Sequence, residues 1–177
     1  MAEREQHDRT AGDVLLRHLD LLHNLARSLT RSREAAEDLV QETCVRALPA
    51  WRRQLPDRPD AWLATTCLNA ARDAARRRAA RPVVVADDGH LLHRPADDDT
   101  AEQAVASVRA ARVRAAVWQL PTAQREAVAL VDLAGLTHQE AADVLGVPRG
   151  TVLSRVHRGR IALARQLEEE VAHDRTR

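Results

Sequence analysis

Apolar residues recur every three or four positions along most of this chain, with charged residues filling the intervals. That period puts one side chain per turn on a common face, so it predicts helices rather than strands. Over residues 12–29 the stripe is Leu15, Leu19, Leu22, Ala26 and Leu29. The polar stretch before it, up to about Thr10, predicts a mobile terminus. Ser32 is placed to cap a second helix, which should end near Leu48 because Pro49 follows. Its buried stripe would be Ala36, Leu39 or Val40, Cys44 and Ala47, while Asp38, Gln41, Glu42 and Arg46 point elsewhere. Residues 55–59 form a proline-rich turn, and Asp60 can cap a helix over 61–80. Trp62, Leu63, Cys67, Ala70 and Ala74 lie toward its core side; Arg72, Arg76, Arg77 and Arg78 make its far end basic.

From Pro82 the periodicity is lost. Residues 81–100 hold two prolines, one glycine and the acidic clusters Asp87-Asp88 and Asp97-Asp98-Asp99, which is the composition of a flexible linker. Helical patterning resumes over 101–118 and again over 122–134, where Gly135 closes it. Residues 136–163 then predict two short helices joined by a tight turn. Thr137 followed by Glu140 is a capping box, and Ala141, Ala142, Val144 and Leu145 give the first helix a small apolar face. Gly146 can take the left-handed conformation that ends it, and Pro148 fixes φ where the second helix begins. On that second helix Val152, Val156 and Leu163 face the first. Ser154, His157, Arg158 and Ile161 face outward with nothing in this stretch to pack on. After Leu167 an acidic run and a polar tail predict a frayed end.

Five arginines and no acidic residue lie between Arg149 and Arg165. A solvated helix end could have that composition, but the arginines begin at the N-terminal end, where the helix dipole disfavours cations. That points to an external anion. A helix-turn-helix with a basic outward face suits the DNA major groove, where side chains reach base edges and phosphates.

Composition narrows the classes further. At 177 residues there is room for one domain or two small ones, and the net charge of +1 says little about partners. All 27 basic residues are arginine, a bias that a GC-rich genome explains as well as phosphate recognition does. Phe and Tyr are absent, and the apolar content is mostly Ala, Leu and Val, a helical composition with small-residue cores. Cys44 and Cys67 lack metal-site spacing and read as buried small side chains. His90 and His93 in the linker are too few for a metal centre, and no cofactor is expected. No apolar run approaches the ~20 residues of a membrane span, and the chain reads as soluble and cytoplasmic. No phosphate-binding glycine loop, nucleophile set or paired-carboxylate site can be assembled, so an enzyme is not expected.

Residues 136–160 resemble region 4 of the extracytoplasmic-function (ECF) sigma factors, above all at Gly150-Thr151-Val152, Ser154-Arg155 and His157-Arg158. AEDLVQETCVRA over residues 36–47 resembles their region 2, as does AWL…N…RRR over 61–78. The resemblance covers most of the chain, with regions 2 and 4 in order and no others. It implies an all-α protein: a region 2-like domain over 1–80, the linker over 81–100, and a region 4-like helix-turn-helix domain over 101–177. It implies core RNA polymerase as partner, through the β′ clamp helices and the β flap, with promoter DNA and an anti-sigma factor as further partners. Asp38, Leu39, Gln41 and Glu42 would meet polymerase. Asn69, with Arg72, Arg76 and Arg77, would hold a flipped base and its phosphates at the −10 element. Arg149, Thr151, Leu153, Ser154, His157 and Arg158 would meet the −35 element. Two positions depart from the family pattern: Cys44 stands where Phe is common, and Leu153 where Lys or Arg is usual. Only Trp51 and Trp62 could stack bases in the first domain, so weak melting power and a narrow promoter set are expected. An autonomous helix-turn-helix regulator, or a sigma-like protein that only binds other proteins, are the alternatives.

Overall fold

The structure, a computed structural model, describes residues 2–80 and 101–175; the linker, with its acidic clusters and His90 and His93, lies outside the described residues. Every described element is a helix. In order they are α1 (Ala2–Arg17), α2 (Leu19–Leu29), α3 (Arg33–Arg53), α4 (Pro59–Ala79), α5 (Ala101–Gln119), α6 (Thr122–Val128), a π-helical turn (Ala129–Leu133), α7 (His138–Leu145) and α8 (Arg149–Arg175). The all-α expectation holds.

The first four helices wrap a core of Leu22, Leu25, Leu39, Val40, Trp51, Leu63, Cys67 and Leu68, all buried. Each large side chain so buried contributes roughly 1.5–3 kcal/mol relative to exposure. Trp51 and Trp62 meet edge to face, centroids 5.7 Å apart, so Trp51 is fully enclosed and cannot stack on a base. That leaves Trp62, half-buried itself, as the one indole of this part with any open surface.

Four boundaries differ from the sequence expectation. The polar terminus is helical from Ala2, and the stripe over 12–29 is two helices, because the chain leaves α-helical geometry at His18. There the His18 Nδ1–H donates to the Val14 carbonyl at 2.7 Å, and the His18 amide donates to Leu15. The expected break at Pro49 is missing altogether: α3 runs through Pro49 to Arg53, since Pro49 is exposed and buried Trp51 anchors the turn beyond it. Proline costs a hydrogen bond inside a helix, but it does not end one whose last turn is held by packing. Finally, α4 starts at Pro59 rather than after an Asp60 cap; Arg58 is its N-cap residue and Asp60 lies in the first turn, accepting from Arg58. Ser32, in contrast, caps α3 as expected, accepting from the Ala35 amide at 3.1 Å.

In the second part α5, α6, α7 and α8 pack around Ala127, Leu130, Leu136, Ala141, Leu145, Val152 and Val156. The stretch over 122–134 is not one α-helix. It widens into the π-turn, where the Ala134 amide reaches back to the Ala129 carbonyl at 3.0 Å before Gly135 turns at φ 69°. Leu130, on this turn, joins the same continuous apolar cluster as Leu22 and Leu25 of α2, so the two parts of the chain are packed together.

Candidate nucleic-acid and polymerase interface

The helix-turn-helix is built as its sequence indicates. The Thr137 hydroxyl accepts from the Glu140 amide at 3.2 Å, and the Glu140 carboxylate accepts from the Thr137 amide at 2.7 Å. Those bonds hold the Glu140 carboxyl below its usual range. Gly146 ends α7 at φ 66° and ψ 37°, and the Pro148 carbonyl accepts the first amides of α8. Val152 and Val156 are fully buried, which fixes the opposite face of α8 outward.

That outer face carries Arg149, Leu153, Ser154, His157, Arg158 and Ile161, all exposed, with Thr151 half-buried beside them. Leu153 and Ile161 leave 43% and 42% of their surface open, an apolar stretch among the polar groups. Arg158 lies back along its own helix: its Nε donates to the Ser154 carbonyl at 3.1 Å and its Nη2 to the Ser154 hydroxyl at 3.3 Å. The helix is not short. It spans 27 residues to Arg175 and continues through the Glu168–Glu170 run, where the sequence predicts fraying. One of the five arginines is also not free for DNA, because Arg160 forms a forked pair with Asp132 of the π-turn.

The hydrophobic period does not single out Gly159. It is buried in mid-helix, and a Cβ there would stand 2.7 Å from Val128 Cγ2. α8 therefore lies against α6 at a distance only glycine permits, and this sets how far the outer face projects. A glycine inside a helical pattern is the signal that the sequence does carry.

On α3, Asp38 and Gln41 are exposed and Glu42 is half-buried, paired to Arg46 at 2.5 Å and within 3.9 Å of Arg77 on α4. Leu39 does not belong with them. Its side chain is 4% exposed, because Leu39 and Val40 both turn into the core, and it can only support this face from beneath. On α4, Asn69, Arg76, Arg77 and Arg78 are exposed, and Arg76 meets Asp73 at 3.0 Å. Arg72 departs from this group: its Nε and Nη2 donate to the two Glu126 carboxylate oxygens of α6 at 3.0 and 2.7 Å. So Asn69, Arg76 and Arg77 share an open surface, and Arg72 is engaged elsewhere. Among the described residues no group of three or more His, Cys, Asp or Glu could hold a metal ion, and no helix is long and apolar enough to cross a membrane.

The profile of Sigma-70 region 2 matches residues 14–81, and that of Sigma-70 region 4 matches residues 110–163. The chain is 39% identical over 165 residues to the ECF RNA polymerase sigma factor SigM of Mycobacterium tuberculosis, which covers 90% of this chain and 79% of that protein. To SigE of Mycolicibacterium smegmatis it is 36% identical over 150 residues, 84% of this chain but 58% of the relative's length. Among solved structures it is similar to CnrH in complex with the cytosolic domain of CnrY, with TM-score 0.64, 30% identity, and 94% and 95% of the two chains covered. It is likewise similar to the sigma factor RpoE in complex with the anti-sigma factor NepR from Bartonella quintana, with TM-score 0.66, 28% identity, and 89% and 96% covered. Two region matches in order, on a fold shared with sigma factors and ending in an exposed basic helix, identify the family: this chain belongs to the ECF sigma factors, which direct RNA polymerase to its promoters.

Proposed function

We propose that residues 1–80 and 101–177 are two working units joined by the 81–100 linker, and that each has its own promoter element. The first unit seats the outer stripe of α3, Asp38, Gln41 and Glu42, on the β′ clamp helices of core polymerase. Asn69 takes one flipped base of the −10 element, while Arg76 and Arg77, and Arg72 once released, hold the neighbouring phosphates. The second unit lays α8 in the major groove of the −35 element through Arg149, Thr151, Leu153, Ser154, His157 and Arg158, and docks on the β flap. Leu153 replaces a phosphate contact with an apolar one, which fits a thymine methyl. The chain carries out no reaction of its own; bond formation belongs to the polymerase, and the factor acts in the cytoplasm where polymerase and promoter are. The likeness to CnrH and RpoE, each held by a partner protein, supports an anti-sigma factor as a regulator here too.

The observation that carries this reading is the outer face of α8, open from Arg149 to Ile161 and held outward by buried Val152 and Val156. Transcription from genomic fragments by core polymerase, with and without the chain, tests it. The parent should add initiation at a small set of start sites. Asp38→Arg with Glu42→Arg should lose that initiation and co-purification with core, with helical content unchanged, since both side chains face away from the core. Duplex binding by the chain alone, with no added initiation, would favour the autonomous regulator instead.

A further inference from the structure

Leu153 is the fifth residue of α8, at the end of the helix from which a recognition helix reaches base edges. Buried Val152 and Val156 turn its side chain outward, and 43% of its surface is open. Arg149 and His157 stand one turn to either side on the same ridge, each about 6 Å along the axis, and both are exposed. An aliphatic side chain held in the open contributes only when something apolar covers it.

The polar groups beside Leu153 are engaged within the helix. The Ser154 hydroxyl donates to the Thr151 carbonyl at 2.9 Å and accepts from Arg158 Nη2 at 3.3 Å. Arg158 Nε donates to the Ser154 carbonyl at 3.1 Å. Leu153 itself carries neither donor nor acceptor. A base edge opposite it therefore meets an aliphatic surface and no hydrogen-bonding group of that side chain.

We propose that Leu153 reads the C5-methyl group of a pyrimidine in the −35 element, without regard to which pyrimidine carries the methyl. The inference rests on the functional reading above, in which α8 lies in the major groove. There thymine shows its methyl beside the O4 acceptor, whereas cytosine shows an N4 donor and only a hydrogen at C5. A hydrogen-bonding side chain tells O4 from N4; leucine cannot. 5-Methylcytosine places its methyl where thymine does, so it fits the same contact. The position is thus sensitive to methylation: a cytosine there matches only in its 5-methylated form. Ile161 is as exposed, at 42%, but lies eight residues on, about 12 Å farther from the N-terminal residues that meet base edges.

The test uses holoenzyme assembled from core polymerase and the full-length chain, on a duplex promoter from one of its own start sites. Each pyrimidine of the −35 element is placed as thymine or uracil opposite adenine, and as 5-methylcytosine or cytosine opposite guanine. Within each pair the duplexes differ by one methyl. At one position the methylated member should bind about fourfold tighter in both pairs, the value of burying one such group. Leu153→Ala should bring both ratios close to one, and Leu153→Met should keep them. Ile161→Ala should leave them as in the parent. A promoter with no methyl response at any position, or a response that survives Leu153→Ala, overturns the proposal. So does a response to thymine with none to 5-methylcytosine, since O4 is then part of the recognition. Weaker association of Leu153→Ala with core, with no methyl response, would make Leu153 a protein contact and overturn it too. All of these outcomes leave the functional reading standing. Holoenzyme that starts from no promoter sinks that reading, and this proposal with it.

Discussion

Cys67 sits at the centre of the first unit with no exposed surface, and burial pushes its thiol from 9.0 up to about 12, against a smaller opposing bond from Thr43. Cys44, half-buried beside it, is raised for the same reason. In the unfolded chain both thiols ionise near 9, whereas in the folded chain Cys67 keeps its proton until about 12. The folded state then binds more protons across that window, so stability falls as pH rises, by up to ~1.4 kcal/mol per unit for one thiol. This chain has no Lys and no Tyr, so no other side chain ordinarily titrates there. Urea midpoints should therefore drop steadily from pH 9 to 11 in the parent and stay level in Cys44→Ala with Cys67→Ala. An equal drop in both would mean the thiols are not the cause. At this scale the sequence is legible wherever the partner is near. The Thr137–Glu140 box and the Ser32 cap are local, and both form as their spacing predicts. Leu39 escapes the pattern because adjacent Leu39 and Val40 both satisfy a buried stripe, and period alone cannot say that both go in. The Arg72–Glu126 pair joins residues 54 apart, and no local signal announces it.

The elements repeat that lesson on a longer scale. Helix identities follow from the apolar period, but ends set by packing do not: α3 passes Pro49 because Trp51 is buried beyond it, and α1 parts from α2 at His18 without a proline or glycine. The outward face of α8 is legible because Val152 and Val156 repeat at one helical turn. Its closeness to α6 is not, because that depends on an atom Gly159 lacks. Gly159→Ala gains about 1 kcal/mol of helix propensity but drives a Cβ into Val128, a β-branched side chain with little freedom to move. Overpacking of this kind costs ~1–3 kcal/mol, so the variant should be less stable by about 1 kcal/mol in denaturant titration. Promoter binding should weaken as well, because α8 is lifted or turned. A variant more stable than the parent would show that α6 gives way freely.

For the whole molecule, on the proposed reading, the reach of residues 81–100 sets the working geometry. Deleting ten of these 20 residues leaves at most ~35 Å of chain. Transcription from promoters with both elements should then collapse, while binding to an isolated −35 duplex should persist. Retained transcription would place the two units closer on the promoter than the elements imply. The seam between α2 and the π-turn also bears on hybrids. Sigma factors invite part-swapping, since regions 2 and 4 are separate stretches of chain joined by a linker. Here each region also carries half of a fitted surface, Arg72 and the α2 face on one side, Glu126, Trp118 and the π-turn on the other. A hybrid carrying this region 2 and a foreign region 4 would lose both the mate for Arg72 and the packing of the π-turn on α2. Such a chain would bare the apolar side of α2 that Leu130 covers here, and its fault would be poor solubility rather than altered promoter choice.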